Sequence, residues 1–234
     1  MSEIHLVQVR PVARERTERD GAGEPGASPL GVLLPGGRIR PGTAVSAGGD
    51  LPLLLALAAA ASAGSAGWAV VALPELGPRA AADAGLELGA GMWIDAPGRR
   101  WPHVLATVLE AVPVVMVGPL PPAPDRVARR LSAVMRRSGT VLLAAEVWEG
   151  AEVRLRVTTA VWEGVGTGFG LLRGRRATVV STGRGAADQA RRADLWLPGP
   201  DGLVATIAPA AADTAIPGSE GATVTGRRGL RVLG

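Results

Sequence analysis

The stretch Val45-Ser46-Ala47-Gly48-Gly49-Asp50-Leu51-Pro52-Leu53-Leu54-Leu55-Ala56-Leu57 decides the fold. A short apolar run from Thr43 to Ala47 enters two glycines, and a long uncharged apolar run follows. Strand, glycine-rich turn and helix in that order outline a phosphate-binding loop, whose signature closes on Gly-Lys-Ser/Thr. Aligned on Leu55-Ala56-Leu57, the lysine position falls on Pro52 and the hydroxyl position on Leu53. The lysine would reach the β- and γ-phosphates, and the hydroxyl would hold Mg²⁺. Proline has no backbone N–H to donate, and leucine cannot ligate a hard cation. Gly48, Gly49, Pro52 and Leu53 are therefore read as a degenerate nucleotide loop, with no cofactor and no metal expected there.

The composition narrows the chemistry further. With 234 residues, 47% hydrophobic and a mean hydropathy of +0.23, the chain can bury a sizeable core. One α/β domain with extended ends fits that length. Cysteine is absent, which removes disulfides, thiolate nucleophiles and thiolate metal sites. His5 and His103 are too few for a zinc cluster, and no spacing suggests a Ser/His/Asp triad or a glycosidase carboxylate pair. The sequence pI of 11.1 overstates the basicity, because lysine and tyrosine are absent and the formal charge is only +4. The distribution says more. Residues 126–192 carry Arg126, Arg129, Arg130, Arg136, Arg137, Arg154, Arg156, Arg173, Arg175, Arg176, Arg184, Arg191 and Arg192, opposed only by Glu146, Glu149, Glu152, Glu163 and Asp188. Residues 39–125 lean acidic, so a polarised surface is expected. Leu51 to Leu73 is long enough and apolar enough to span a bilayer. Pro52 and Gly64-Ser65-Ala66-Gly67 break it into a buried helix, a turn and a buried strand. The N-terminus is polar and lacks a signal peptide pattern, so a cytoplasmic protein without membrane contact is expected.

Along the chain, Ile4 to Val9 reads as a short strand, and the charged, Gly- and Pro-containing stretch 10–27 as a linker. Strands are expected at Thr43–Ala47, Trp68–Leu73, Met92–Ile94, Val114–Val117 and Thr140–Ala145. Helices alternate with them at Leu53–Ala63, Gly77–Leu86, Trp101–Ala111 and Pro124–Ser138. The last is the clearest, with Val127, Leu131, Val134 and Met135 on one face and arginines on the other. Nearly all-apolar strands alternating with helices predict a mostly parallel sheet flanked by helices. From Glu152 the residues alternate in antiparallel style at Val153–Val157, Ala177–Ser181 and Leu195–Leu197, which predicts an antiparallel extension at one edge. The domain reading is 1–29 as N-terminal strand and linker, 30–199 as the α/β domain with the degenerate loop, and 200–234 as a tail.

Several of these segments carry a family resemblance. Leu34-Pro35-Gly36-Gly37-Arg38-Ile39, the glycine turn and the β/α series through Glu146 resemble the core of RecA recombinases. Trp68 to Pro74, Ala82 to Leu88, Trp162-Glu163-Gly164-Val165-Gly166-Thr167-Gly168, Ser181-Thr182-Gly183-Arg184-Gly185 and Leu195-Trp196-Leu197-Pro198 resemble actinobacterial ImuA-prime, a RecA-like mutasome accessory protein. The likeness spans about residues 30 to 199. It implies a non-catalytic RecA-like adaptor, active in DNA-damage-induced mutagenesis and error-prone translesion synthesis. The partners it implies are an ImuB-like polymerase homologue, RecA and an error-prone replicative-type DNA polymerase, in a cytoplasm where it joins the nucleoid on damage. In that frame Gly118 stands where the fourth strand of a RecA-type ATPase ends in a metal-organising aspartate, and Glu75 where the water-activating glutamate stands. A carboxylate without lysine or metal cannot support phosphoryl transfer. The connectors 118–124 and 147–150 are too short for the two DNA-gripping loops, so DNA binding should be weak or absent.

The remaining candidates are surfaces. Arg173-Gly174-Arg175-Arg176 reads as a hairpin tip able to contact DNA phosphate through Arg173, Arg175 and Arg176. Trp148, Trp162 and Trp196 are candidate interface anchors, whereas Trp68 and Trp93 lie in core strands. Leu230, Arg231, Val232 and Leu233 alternate apolar and basic and could add a strand to a partner's sheet. The competing reading is a divergent RecA paralogue that binds DNA or nucleotide, with arginine in place of the missing lysine.

Overall fold

Runs of three or four residues, apolar toward both sides, build the centre of the sheet. The computed structural model describes residues 6–7, 28–63, 67–166 and 169–207. In it β2 (Ala44–Ser46), β3 (Trp68–Val71), β5 (Val114–Val117) and β6 (Val141–Ala144) are buried at every position. With β4 (Gly91–Ile94) they pair in parallel in the order β4-β3-β5-β6-β2. A strand with no polar face can sit only where both faces are covered. Alternate residues accordingly feed two cores. Val70, Met116 and Leu143 join Leu53, Leu54 and Leu57 of α1 (Leu51–Ser62) and Ala81 of α2 (Pro78–Asp83). Val71, Val115 and Leu142 join Leu105 and Leu109 of α3 (Trp101–Ala111) and Leu131 and Val134 of α4 (Asp125–Ser138). The period of two along each strand thus sorts neighbouring residues into opposite layers. Trp68 and Trp93 pack edge to face with centroids 4.7 Å apart, and each indole N–H donates to a backbone carbonyl.

Beyond β2 the sheet continues through β7 (Val153–Gly166), β8 (Phe169–Gly183), β9 (Arg191–Trp196) and β10 (Ala205–Thr206). The α/β architecture with a mostly parallel, helix-flanked sheet is as the sequence predicts, with three differences. First, β7 enters parallel to β2, at Val45↔Val153 and Ser46↔Arg154, and only β8 to β10 are antiparallel. Antiparallel pairing also occurs at the opposite edge, where β1 (Leu6–Val7) lies against β4. Second, Arg173–Arg176 is no hairpin tip. It lies inside β8, with Glu163↔Gly174 and Trp162↔Arg175 in register. Third, the chain is still part of the sheet after residue 199, because β10 pairs with β9 through Ala205↔Trp196. The apolar stretch 51–73 contains α1 and β3, and the turn expected at 64–67 falls largely outside the described residues. Among the described residues no helix is long and apolar enough to cross a membrane.

Candidate functional site

The C-terminal ends of β2, β3, β5 and β6 open on one edge of the sheet, the edge where open α/β sheets take ligands. The loop from Ala47 to Asp50 turns there, with Gly48 and Gly49 at φ of 62° and 85°. Its backbone is tied to the end of β6. The Ala47 N–H donates to the Ala144 carbonyl at 2.8 Å, and the Gly49 N–H to the Ala145 carbonyl at 2.7 Å. Asp50 caps α1, its Oδ1 accepting from the Leu53 N–H at 2.9 Å. Arg175 of β8 closes over the same carboxylate, Nη1 to Oδ1 at 3.1 Å and Nη2 to Oδ2 at 2.5 Å. The Arg175 and Asp50 side chains are only 9% and 13% exposed.

A helix N-terminus attracts anions because its first N–H groups lack partners and the helix dipole is positive there. Here the chain supplies that anion itself. The carboxylate of Asp50 satisfies an orphan N–H and is neutralised by a bidentate guanidinium, an interaction of the strong, directional kind. Pro52 follows in the first turn, and Leu53 is fully buried in the core. The side chain at residue 53 therefore points into the core.

At Gly118, where the resemblance would place a metal-organising aspartate, backbone crowds out any side chain. A Cβ on Gly118 would stand 1.9 Å from the carbonyl oxygen of Ala72, and Ala72 itself holds a left-handed φ of 56°. The Gly118 N–H donates to the Val71 carbonyl at 2.9 Å. The ends of β3 and β5 thus approach too closely for any side chain at residue 118. Glu75 is exposed. Beside these strand ends lies a cleft of about 350 Å³, lined among others by Trp101, Leu120, Pro121, Ser132, Glu146 and Trp148. Trp148 is half-buried, and its N–H donates to Ser46 Oγ at 3.0 Å. Of the connectors bordering the cleft, the first spans 118–124 as expected, while the second runs from 145 to 152, longer than the expected 147–150.

The other candidates are scattered. Arg175, taken from sequence as a DNA contact, is turned inward to Asp50. Arg173 is exposed, and Arg176 is exposed, lying 5.4 Å over the Trp196 ring and 3.4 Å from Glu163. Trp162 is 47% exposed. Leu230, Arg231, Val232 and Leu233 lie outside the described residues. Sequence reading missed the Asp50–Arg175 pair, whose members are 125 positions apart. One signal was available: a lone Asp directly before an uncharged apolar helix is an N-cap, and it will be desolvated wherever that helix is buried.

These features define an α/β protein with a glycine turn at the end of its central strand and a paired Asp50–Arg175 at the head of the helix that follows. Residues 32–150 match the family described as MT3502 N-terminal domain, and the chain belongs to that family. It is also 31% identical over 170 residues to the uncharacterized protein Rv3395c of Mycobacterium tuberculosis, a match covering 68% of this chain and 83% of that protein. The family match takes in the loop, the cleft and Asp50, and stops short of Arg175.

Proposed function

We propose that the protein is a non-catalytic RecA-like adaptor of a DNA-damage-induced mutasome. It binds an ImuB-like polymerase homologue, supports error-prone translesion synthesis, and works in the cytoplasm at the nucleoid. The observation that carries this reading is the Asp50–Arg175 pair at the head of α1, a carboxylate and its counter-ion where a nucleotide phosphate would otherwise sit. Leu53 in the core and Gly118 against Ala72 support it, because both metal-holding positions are lost. The RecA-like element rests on the placement of β2 between β6 and β7 together with the sequence resemblance. Mg-ATP should bind more weakly than about millimolar, so 1 mM nucleotide should raise stability by no more than ~0.4 kcal/mol. A thermal shift of several degrees, or metal-dependent hydrolysis, would sink the proposal. Capture of the ImuB-like protein by the purified full chain is the positive half of the test.

The second reading, a paralogue that binds DNA, is favoured by one observation. Arg126, Arg129, Arg130 and Arg136 of α4 are all exposed.

A further inference from the structure

The β7–β8 hairpin outgrows the sheet that carries it. β2 pairs with β7 only at Val153 and Arg154, whereas β7 runs on to Gly166 with β8 beside it. Among the described residues no strand pairs with Val157–Gly166 on the side away from β8. Backbone groups of an antiparallel strand point alternately to its two sides, so about half of those N–H and C=O groups are offered outward. Large apolar side chains near the end of the hairpin are uncovered too. Val161 is 62% and Trp162 47% exposed, and across the hairpin Leu171 is 82% and Leu172 59% exposed. Edges of this kind are normally blunted by lysine, proline or charge. The run Val157-Thr158-Thr159-Ala160-Val161-Trp162 has no lysine, proline or charge, and its one bulge lies at the Val157 end. Register shifts fall between Val157 and Thr159 and between Glu163 and Val165, which leaves Thr159 to Glu163 as a regular window.

We propose that this edge is a self-association surface, on which two copies of the chain pair β7 to β7 in antiparallel fashion about a two-fold axis at Val161. Directly opposed residues in an antiparallel pair share a face, so only registers that oppose residues of like parity are allowed. Centred on Val161, the pairing sets Ala160 against Trp162 and Thr159 against Glu163. Apolar groups then meet on both faces, and the single charge of the window meets a hydroxyl. An axis at Trp162 would set Val161 against Glu163. A two-fold contact requires a patch complementary to itself, and a nearly neutral, β-branched window meets that requirement. Within the window a strongly charged foreign strand would find only Glu163, which already pairs with Arg176 at 3.4 Å.

Sedimentation velocity on the full chain, from low to high micromolar, should show a monomer–dimer equilibrium. Val161→Arg places like charges at the axis and should abolish the dimer. Thr159→Arg creates two symmetry-related pairs with Glu163 and should tighten the dimer about tenfold, while Thr159→Glu should loosen it by a similar factor. Both positions of substitution are exposed, and unchanged circular dichroism melts confirm the fold; the gain expected for Thr159→Arg cannot arise from misfolding. A monomer at every concentration overturns the proposal, as does a dimer indifferent to these substitutions. Loss of ImuB-like protein capture by Val161→Arg without any change of mass also overturns it, and assigns the edge to a foreign strand.

Discussion

Asp50 closes the turn after β2 and caps α1, and it also holds a guanidinium that would otherwise be buried without a counter-charge. The two partners are not equivalent. Asp50→Asn keeps an acceptor for the Leu53 N–H but strands Arg175, and removing one member of a buried pair typically costs about 3–5 kcal/mol. Arg175→Met leaves a carboxylate that still caps the helix and has some access to water, so its cost should be smaller. The double variant Asp50→Asn/Arg175→Met removes both charges and fills the space with an apolar chain, and should recover most of the loss. Urea denaturation of the four proteins gives the coupling directly. Single effects that simply add would mean that the pair does not hold the loop, and that the anion site is filled by accident of packing.

At the scale of elements, strand ends decide what chemistry is possible. β3 and β5 approach so closely that Gly118 has no room for a Cβ beside the Ala72 carbonyl. Pro52→Lys, Leu53→Thr and Gly118→Asp together supply the residue types that the RecA resemblance would ask of a nucleotide site, yet they should give no metal-dependent ATP hydrolysis. Gly118→Asp alone should destabilise by at least about 1–3 kcal/mol, the usual range for overpacking, as read by thermal melting. Hydrolysis by the triple variant would show the site to be merely mutated rather than rebuilt. The parallel core was legible in the sequence because Trp68–Val71, Val114–Val117 and Val141–Ala144 are apolar on both faces, and α4 because its buried Leu131, Val134 and Met135 recur at helical spacing. The hairpin was not. Gly174 flanked by arginines has the composition of a turn, but its true reason is contact: a Cβ there would stand 3.0 Å from the Trp196 ring and 3.2 Å from the Gly199 backbone. Local composition cannot distinguish a glycine needed for a turn from one needed for close approach. The same limit hid Arg175, whose partner comes from the other end of the domain.

At the scale of the whole molecule, part of the basic half of the sequence becomes an outward helix face. Arg126, Arg129, Arg130 and Arg136 of α4 face solvent, while Arg137 pairs with Glu110 at 2.6 Å. Any DNA binding through that face should be weak and non-specific, with affinity falling steeply as salt rises. Replacing Arg126, Arg129 and Arg130 by alanine should flatten the slope of log K against log salt, which fluorescence anisotropy with a labelled single strand would measure. Replacing Arg175 should change stability and leave that slope alone. The tail makes a complementary demand. Among the described residues the buried cores run from Leu30 to Leu197, so deleting residues 226–234 should leave the melting temperature within a degree or two. Partner capture should nevertheless fall, because Leu230, Val232 and Leu233 are the clustered apolar residues that follow Ile216 in the sequence. In an added strand, Leu230 and Val232 share one face and Arg231 takes the other. Changing Leu230 and Val232 together to aspartate should match the deletion, while Arg231→Ala should cost little. A pull-down with the ImuB-like protein decides between the two surfaces. Undiminished capture by the truncated chain would move the contact from the tail to the arginine face of α4, where the alanine series already made for the salt experiment would locate it.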